Sequence, residues 1–103
     1  MIIHNSEEFD KALLANKVVL ADFFATWCGP CRMLAPVIEE IEGSAGDKFA
    51  VLKVDVDENE KLAMRYGIMS IPTIIVFKNG VAVDKKIGLA SKADIVGMIE
   101  KQL

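Results

Sequence analysis

Cys28 and Cys31 are the only thiols in this 103-residue chain, and two residues, Gly29 and Pro30, separate them. They lie in the stretch FFATWCGPCRML, beside the only tryptophan, Trp27. Four chemistries use cysteines at this spacing. A tetrahedral zinc site needs four ligands, and the chain adds only one distant histidine, His4. An iron–sulfur cluster normally needs four thiolates. Covalent haem attachment needs a histidine directly after the second cysteine, and Arg32 stands there. No metal and no bound cofactor are therefore expected. What remains is dithiol–disulfide exchange, with two incidental core thiols as the plainer alternative.

Exchange requires a thiolate, because the thiolate is the nucleophile. Cys28 falls where a β-rich apolar run ends and a helical pattern begins. A sulfur there meets unpaired N–H groups and the positive end of the helix dipole. Gly29 and Pro30 suit a first helical turn, where proline is tolerated and its φ is already set. Cys31 lies one turn further in, within reach of Cys28 and expected to be more shielded. Cys28 is thus expected to attack a disulfide, and Cys31 to resolve the mixed disulfide. Trp27 reads either as core filler or as a flat, partly exposed apolar shield beside the attacking sulfur.

The elements around the pair must hold this geometry. VVLADFFA, Val18 to Ala25, is nearly all apolar and reads as a central strand covered on both faces. From Cys31 to about Glu42, Leu34, Val37, Ile38 and Ile41 recur at helical spacing. Pro36 inside that run predicts a kink. MIIH suggests a short edge strand, and Asn5 and Ser6 suit the cap of a following helix. FAVLKVDVD reads as a second long strand, and Asn59 to Tyr66 as a short helix stopped by Gly67. TIIVFKNGVAVDKKI is a hairpin around Asn79-Gly80. SKADIVGMIEKQL opens on Ser91 and Asp94 and carries Ile95, Met98, Ile99 and Leu103 as its apolar stripe. The order β-α-β-α-β-α-β-β-α predicts an α/β fold with helices on both faces of a mixed sheet, in three layers.

The bulk composition agrees. The length suits one domain, residues 1–103. Hydrophobic residues make up 52% and charged residues 26%, which argues against disorder and coiled coil. The net charge is −3 with no basic block, so nucleic acid and anionic membrane are not expected partners. No apolar span is long enough to cross a bilayer, and no export signal is visible at MIIHNSEEFD. A cytosolic address is expected, where paired cysteines are more often redox-active or metal-binding than structural.

These residues resemble a known family. WCGPC after a buried strand containing Asp22, then SIPT before a hairpin, then KNG and Gly88, is similar to the thioredoxins along the whole chain. The resemblance implies the thioredoxin fold, with a five-stranded mixed sheet and four helices. It implies that Cys28 attacks and Cys31 resolves, that Asp22 is a buried acid beneath the second cysteine, and that Lys53 neighbours that acid. It implies a cis Pro72 facing the pair, with Ile71 before it pairing with an extended substrate, and Gly88 leaving room for that substrate. Ile87 and Leu89 complete a shallow apolar surface with Trp27, Gly29 and Pro30. Phe24 stands where a second tryptophan is frequent, and Leu89 where a smaller residue is common.

Without the resemblance several of these residues read two ways. Asp22 could reach solvent at a strand end, or be buried and serve as proton acceptor for Cys31. Lys53 could face solvent, or turn toward Asp22. Pro72 alone would be expected trans. The implied activity is a protein disulfide reductase acting on disulfide-containing protein partners. The chain would be monomeric and reset by a thioredoxin reductase. A thiol oxidase or isomerase, and a docking subunit indifferent to redox state, are the alternatives.

Overall fold

The apolar run in FFATWC's preceding segment becomes strand β1, Val18–Phe24, and six of its seven residues are buried. A computed structural model describes the chain from Met1 to Leu103. Its elements are α1 (Ser6–Ala15), β1, α2 (Gly29–Ser44), β2 (Ala50–Asp55), α3 (Glu60–Arg65), β3 (Thr73–Lys78), β4 (Val81–Ile87) and α4 (Lys92–Glu100). The sheet order is β2-β1-β3-β4. β1 pairs parallel to β2 and antiparallel to β3, and β3 pairs antiparallel to β4. The parallel pair needs a crossover, which α2 supplies.

Strand alternation sorts the core into two halves. Val19, Ala21 and Phe23 of β1 pack with Phe9 and Ala12 of α1 and Leu62 of α3. Val18 and Leu20 face the other way, onto Leu34, Ile38 and Ile41 of α2 and Ile95, Met98 and Ile99 of α4. Helices therefore cover both faces in three layers, as the strand–helix alternation predicts. Asp22 has the parity of Val18 and Leu20, so its side chain emerges on the α2 side.

The sheet has four strands where five were expected. MIIH forms only an isolated parallel bridge, Ile2 to Lys53. Two backbone hydrogen bonds hold it, from Ile3 N–H to Lys53 and from Lys53 N–H to Met1. The next N–H, of His4, turns to the Glu8 carboxylate at 2.9 Å. Asn5 then caps α1 by accepting from the Glu8 N–H. Helix initiation thus takes the chain off the sheet edge before a ladder can form.

α2 starts at Gly29 and runs through Pro36 to Ser44, longer at both ends than its periodicity suggested. Cys28 itself serves as N-cap. Asn79 and Gly80 both have positive φ, 52° and 80°, as a type I′ hairpin turn requires. The β3–β4 register shifts between Val76 and Phe77, so Val83 is the extra residue of a bulge. Leu103 is exposed rather than part of the α4 stripe, because the helix ends at Glu100. Ser91 caps α4, its hydroxyl accepting from the Asp94 N–H at 3.1 Å. Ser91→Ala should lower stability by ~1 kcal/mol in urea unfolding, the usual cost of a lost cap. No helix is long and apolar enough to cross a membrane.

Candidate active site

β1 delivers the chain to a turn that ends at Cys28. The Cys28 backbone is extended, at φ −84° and ψ 115°, and its Sγ accepts the Cys31 N–H at 3.2 Å. One of the orphan donors of the α2 N-terminus thus points at this sulfur. Cys28 and Cys31 are joined as a disulfide, with Cα atoms 5.2 Å apart. Gly29 and Pro30 occupy the first turn of α2.

The expected difference in shielding is absent: both cysteines are 5% exposed. Their surroundings separate them instead. Cys28 Sγ lies 3.9 Å from the Ile71 carbonyl oxygen. An oxidised sulfur carries no proton, so this is a contact and not a hydrogen bond. Cys31 lines a cavity of about 200 Å³ with Asp22, Phe24, Ala35, Ile38 and Lys53.

The Ile71–Pro72 peptide is cis. The Pro72 carbonyl accepts the Gly88 N–H at 2.8 Å, tying the loop after β4 to the same edge of the site. Gly88 has φ +90°, which is why glycine stands there. A Cβ at Gly88 would meet no atom of this chain, so any space it preserves lies toward solvent. Trp27 is 67% exposed, and Ile87 and Leu89 are exposed beside the Gly88 turn. The indole is held, since its Nε1–H donates to Asp57 Oδ2 at 2.8 Å. Asp57 has no signal in the sequence, because one acid among several after β2 carries no mark of an indole partner. Met33 and Met69, also exposed, flank the same two loops in sequence.

Asp22 is buried, and its Oδ1 has no hydrogen-bond partner. Desolvation pushes its carboxyl from the ordinary 3.8 up to about 7, and the charge of Lys53 partly opposes that rise. Lys53 is the Cα partner of Asp22 across β1 and β2. Its ammonium pairs with Glu42 of α2 at 3.6 Å, and no ion pair joins it to Asp22. Lys53 thus lines the cavity beside Asp22 while its ammonium is paired with Glu42. No cluster of three or more His, Cys, Asp or Glu side chains is arranged to hold a metal.

The family model for thioredoxin matches residues 1–101. The chain belongs to the thioredoxin family. It is 44% identical to a Bacillus subtilis thioredoxin over 102 residues, 99% of this chain and 98% of that one. A Staphylococcus saprophyticus thioredoxin is 54% identical over 90 residues, 87% and 86% of the two chains. Among solved structures, a mutant thioredoxin from Halobacterium salinarum superposes with a TM-score of 0.92 at 40% identity, covering 99% of this chain and 88% of that one. A Plasmodium falciparum thioredoxin gives 0.90 at 40% identity, covering 99% and 98%. The fold is the thioredoxin fold, and the activity is that of a thiol–disulfide oxidoreductase that reduces protein disulfides.

Proposed function

We propose that this thioredoxin is a cytoplasmic electron carrier, a monomer of one domain in which Cys28 is the nucleophile and Cys31 the resolving thiol. The observation that carries this reading is the Cys31 N–H aimed at Cys28 Sγ at the α2 N-terminus. In the reduced protein the same donor stabilises a Cys28 thiolate. That thiolate attacks one sulfur of a partner's disulfide. A Cys28–partner bond forms, and the partner's other sulfur leaves as a thiolate. Cys31 then loses its proton and attacks the Cys28 sulfur. The internal disulfide forms, the second partner sulfur departs, and two electrons have passed to the partner.

Asp22 is the proton acceptor for Cys31. A carboxyl titrating near 7 takes and returns a proton at cellular pH. It lines the same cavity of about 200 Å³ as Cys31, and that shared space is the route by which the proton passes. Lys53 tempers its charge. Trp27, Gly29, Pro30, Ile87, Gly88 and Leu89 form a shallow apolar rim. Ile71 and Pro72 present backbone to an extended partner segment, which gives affinity without demanding one sequence. The partners are proteins with accessible disulfides, and a flavin- and NADPH-dependent thioredoxin reductase resets the pair.

Alkylation of the reduced protein at pH 7, followed by peptide mass mapping, tests the roles. Cys28 should react at least ~10-fold faster than Cys31. Equal rates would remove the distinction between attacker and resolver.

A further inference from the structure

The outward turn of Lys53 needs a cause. Lys53 stands directly across from Asp22 in the β1–β2 register, on the sheet face that α2 covers. A buried carboxylate with an unpartnered oxygen is the obvious acceptor for an ammonium that close. Yet the head group lies 3.6 Å from Glu42 Oε1, with the Lys53 side chain only 23% exposed. Glu42 sits near the C-terminal end of α2, the helix whose first turn holds the cysteines. Its other oxygen pairs with the Met1 ammonium, which also donates to the Val51 carbonyl at 2.8 Å. The carboxylate is thereby fixed between the chain start and the β2 edge. Partial desolvation works to raise the Glu42 carboxyl, but the Met1 ammonium, by hydrogen bond and charge, and then Lys53 outweigh it and hold the group below the ordinary carboxylate value.

The charged and titratable groups facing Asp22 are few. β2 contributes Lys53, and α2 contributes Cys31 with Glu42 behind Lys53. β3 contributes apolar Ile74 as the Cα partner of Asp22. One positive charge thus stands between two carboxylates, Asp22 in the cavity and Glu42, with which it is paired.

We propose that Glu42 is a positioning residue for proton transfer at the cysteine pair: it holds the Lys53 ammonium at the cavity rim and keeps it from pairing with Asp22. An ammonium at contact distance would make Asp22 a weaker base, because an opposite charge within a few ångströms favours the ionised acid. Retained at the rim, Lys53 attracts the carboxylate without capturing it. This inference rests on Asp22 being the proton acceptor for Cys31, a role that Asp22→Asn tests separately.

The experiment is a pair of titrations of the Asp22 carboxyl carbon by NMR in the oxidised protein. Glu42→Gln keeps the shape of the side chain and removes its charge. It should move the Asp22 midpoint to lower pH by about one unit, a tenfold loss of proton affinity. The pH dependence of mixed-disulfide resolution should move with it. In a Lys53→Met background the same Glu42→Gln change should move the midpoint by nothing. An unmoved midpoint in the single variant overturns the proposal. So does an equal shift with Lys53 absent, since the carboxylate would then be acting on Asp22 directly through space. Thermal melts of each variant separate either result from loss of folding.

Discussion

Asp22→Asn should make the oxidised protein more stable by about 4 kcal/mol at pH 8 and leave it unchanged near pH 3. The sign follows from where the proton sits. Folded Asp22 titrates near 7, whereas an ordinary aspartate titrates near 3.8. Between those values the folded protein keeps a proton that the unfolded chain has released. Folding is then favoured less and less as pH rises, by about 1.4 kcal/mol per pH unit. The loss begins above the unfolded value and is complete once pH passes the folded one. Asparagine is neutral throughout, so the variant lacks this slope. Urea unfolding at a series of pH values reads it directly. Parallel curves for the two proteins from pH 3 to 8 would mean that Asp22 is not desolvated as its burial indicates.

The same substitution should slow resolution of the mixed disulfide while leaving the first attack nearly intact. Cys28 is activated by a backbone N–H of α2, which the asparagine does not touch. Cys31 shares its cavity with Asp22 and would lose its proton acceptor. A variant both more stable and slower is what a buried charge retained for chemistry should produce. A merely structural acid would give the stability change with no kinetic one.

How much of this could be read from residues alone depends on what each signal measures. The hairpin was legible because Asn79-Gly80 meets a backbone demand that few other pairs can meet. The burial of β1 was legible from its composition. That reading carries a consequence for Asp22: a strand covered on both faces has no solvent side, so an acid in its middle must be buried. The family resemblance was still needed because composition alone does not say how far along the strand that cover extends. Strand MIIH failed for the opposite reason. Its β-branched residues fit a pleated edge, but pairing length is set by where α1 begins, and Asn5 begins it early. Equal exposure of the two cysteines was also out of reach, because Ile71 packs against the pair from far along the chain. Glu42 shows the limit most clearly. It reads as one more acid on the polar face of a helix, and only the tertiary fold brings Lys53 and the Met1 ammonium to it.

Cys31→Ser should convert the carrier into a trap. The Cys28 sulfur and the N–H that serves it both remain, since serine keeps the backbone donor at position 31. Attack on a partner disulfide therefore proceeds. The second displacement has no nucleophile, because a serine hydroxyl is far too weak a base to attack a disulfide at neutral pH. Turnover of a disulfide substrate such as insulin, with NADPH and a thioredoxin reductase as the reducing system, should fall by about 1000-fold or more. Covalent partner complexes should accumulate, visible on non-reducing gels and released by excess thiol. Cys28→Ser should lose turnover to the same extent but accumulate no complexes, because no first bond forms. The contrast between the variants matters more than either loss. If Cys28→Ser traps partners and Cys31→Ser does not, the roles are reversed. The donor at the α2 N-terminus would then be serving the resolving sulfur, and Cys31 would carry the first attack on the partner disulfide.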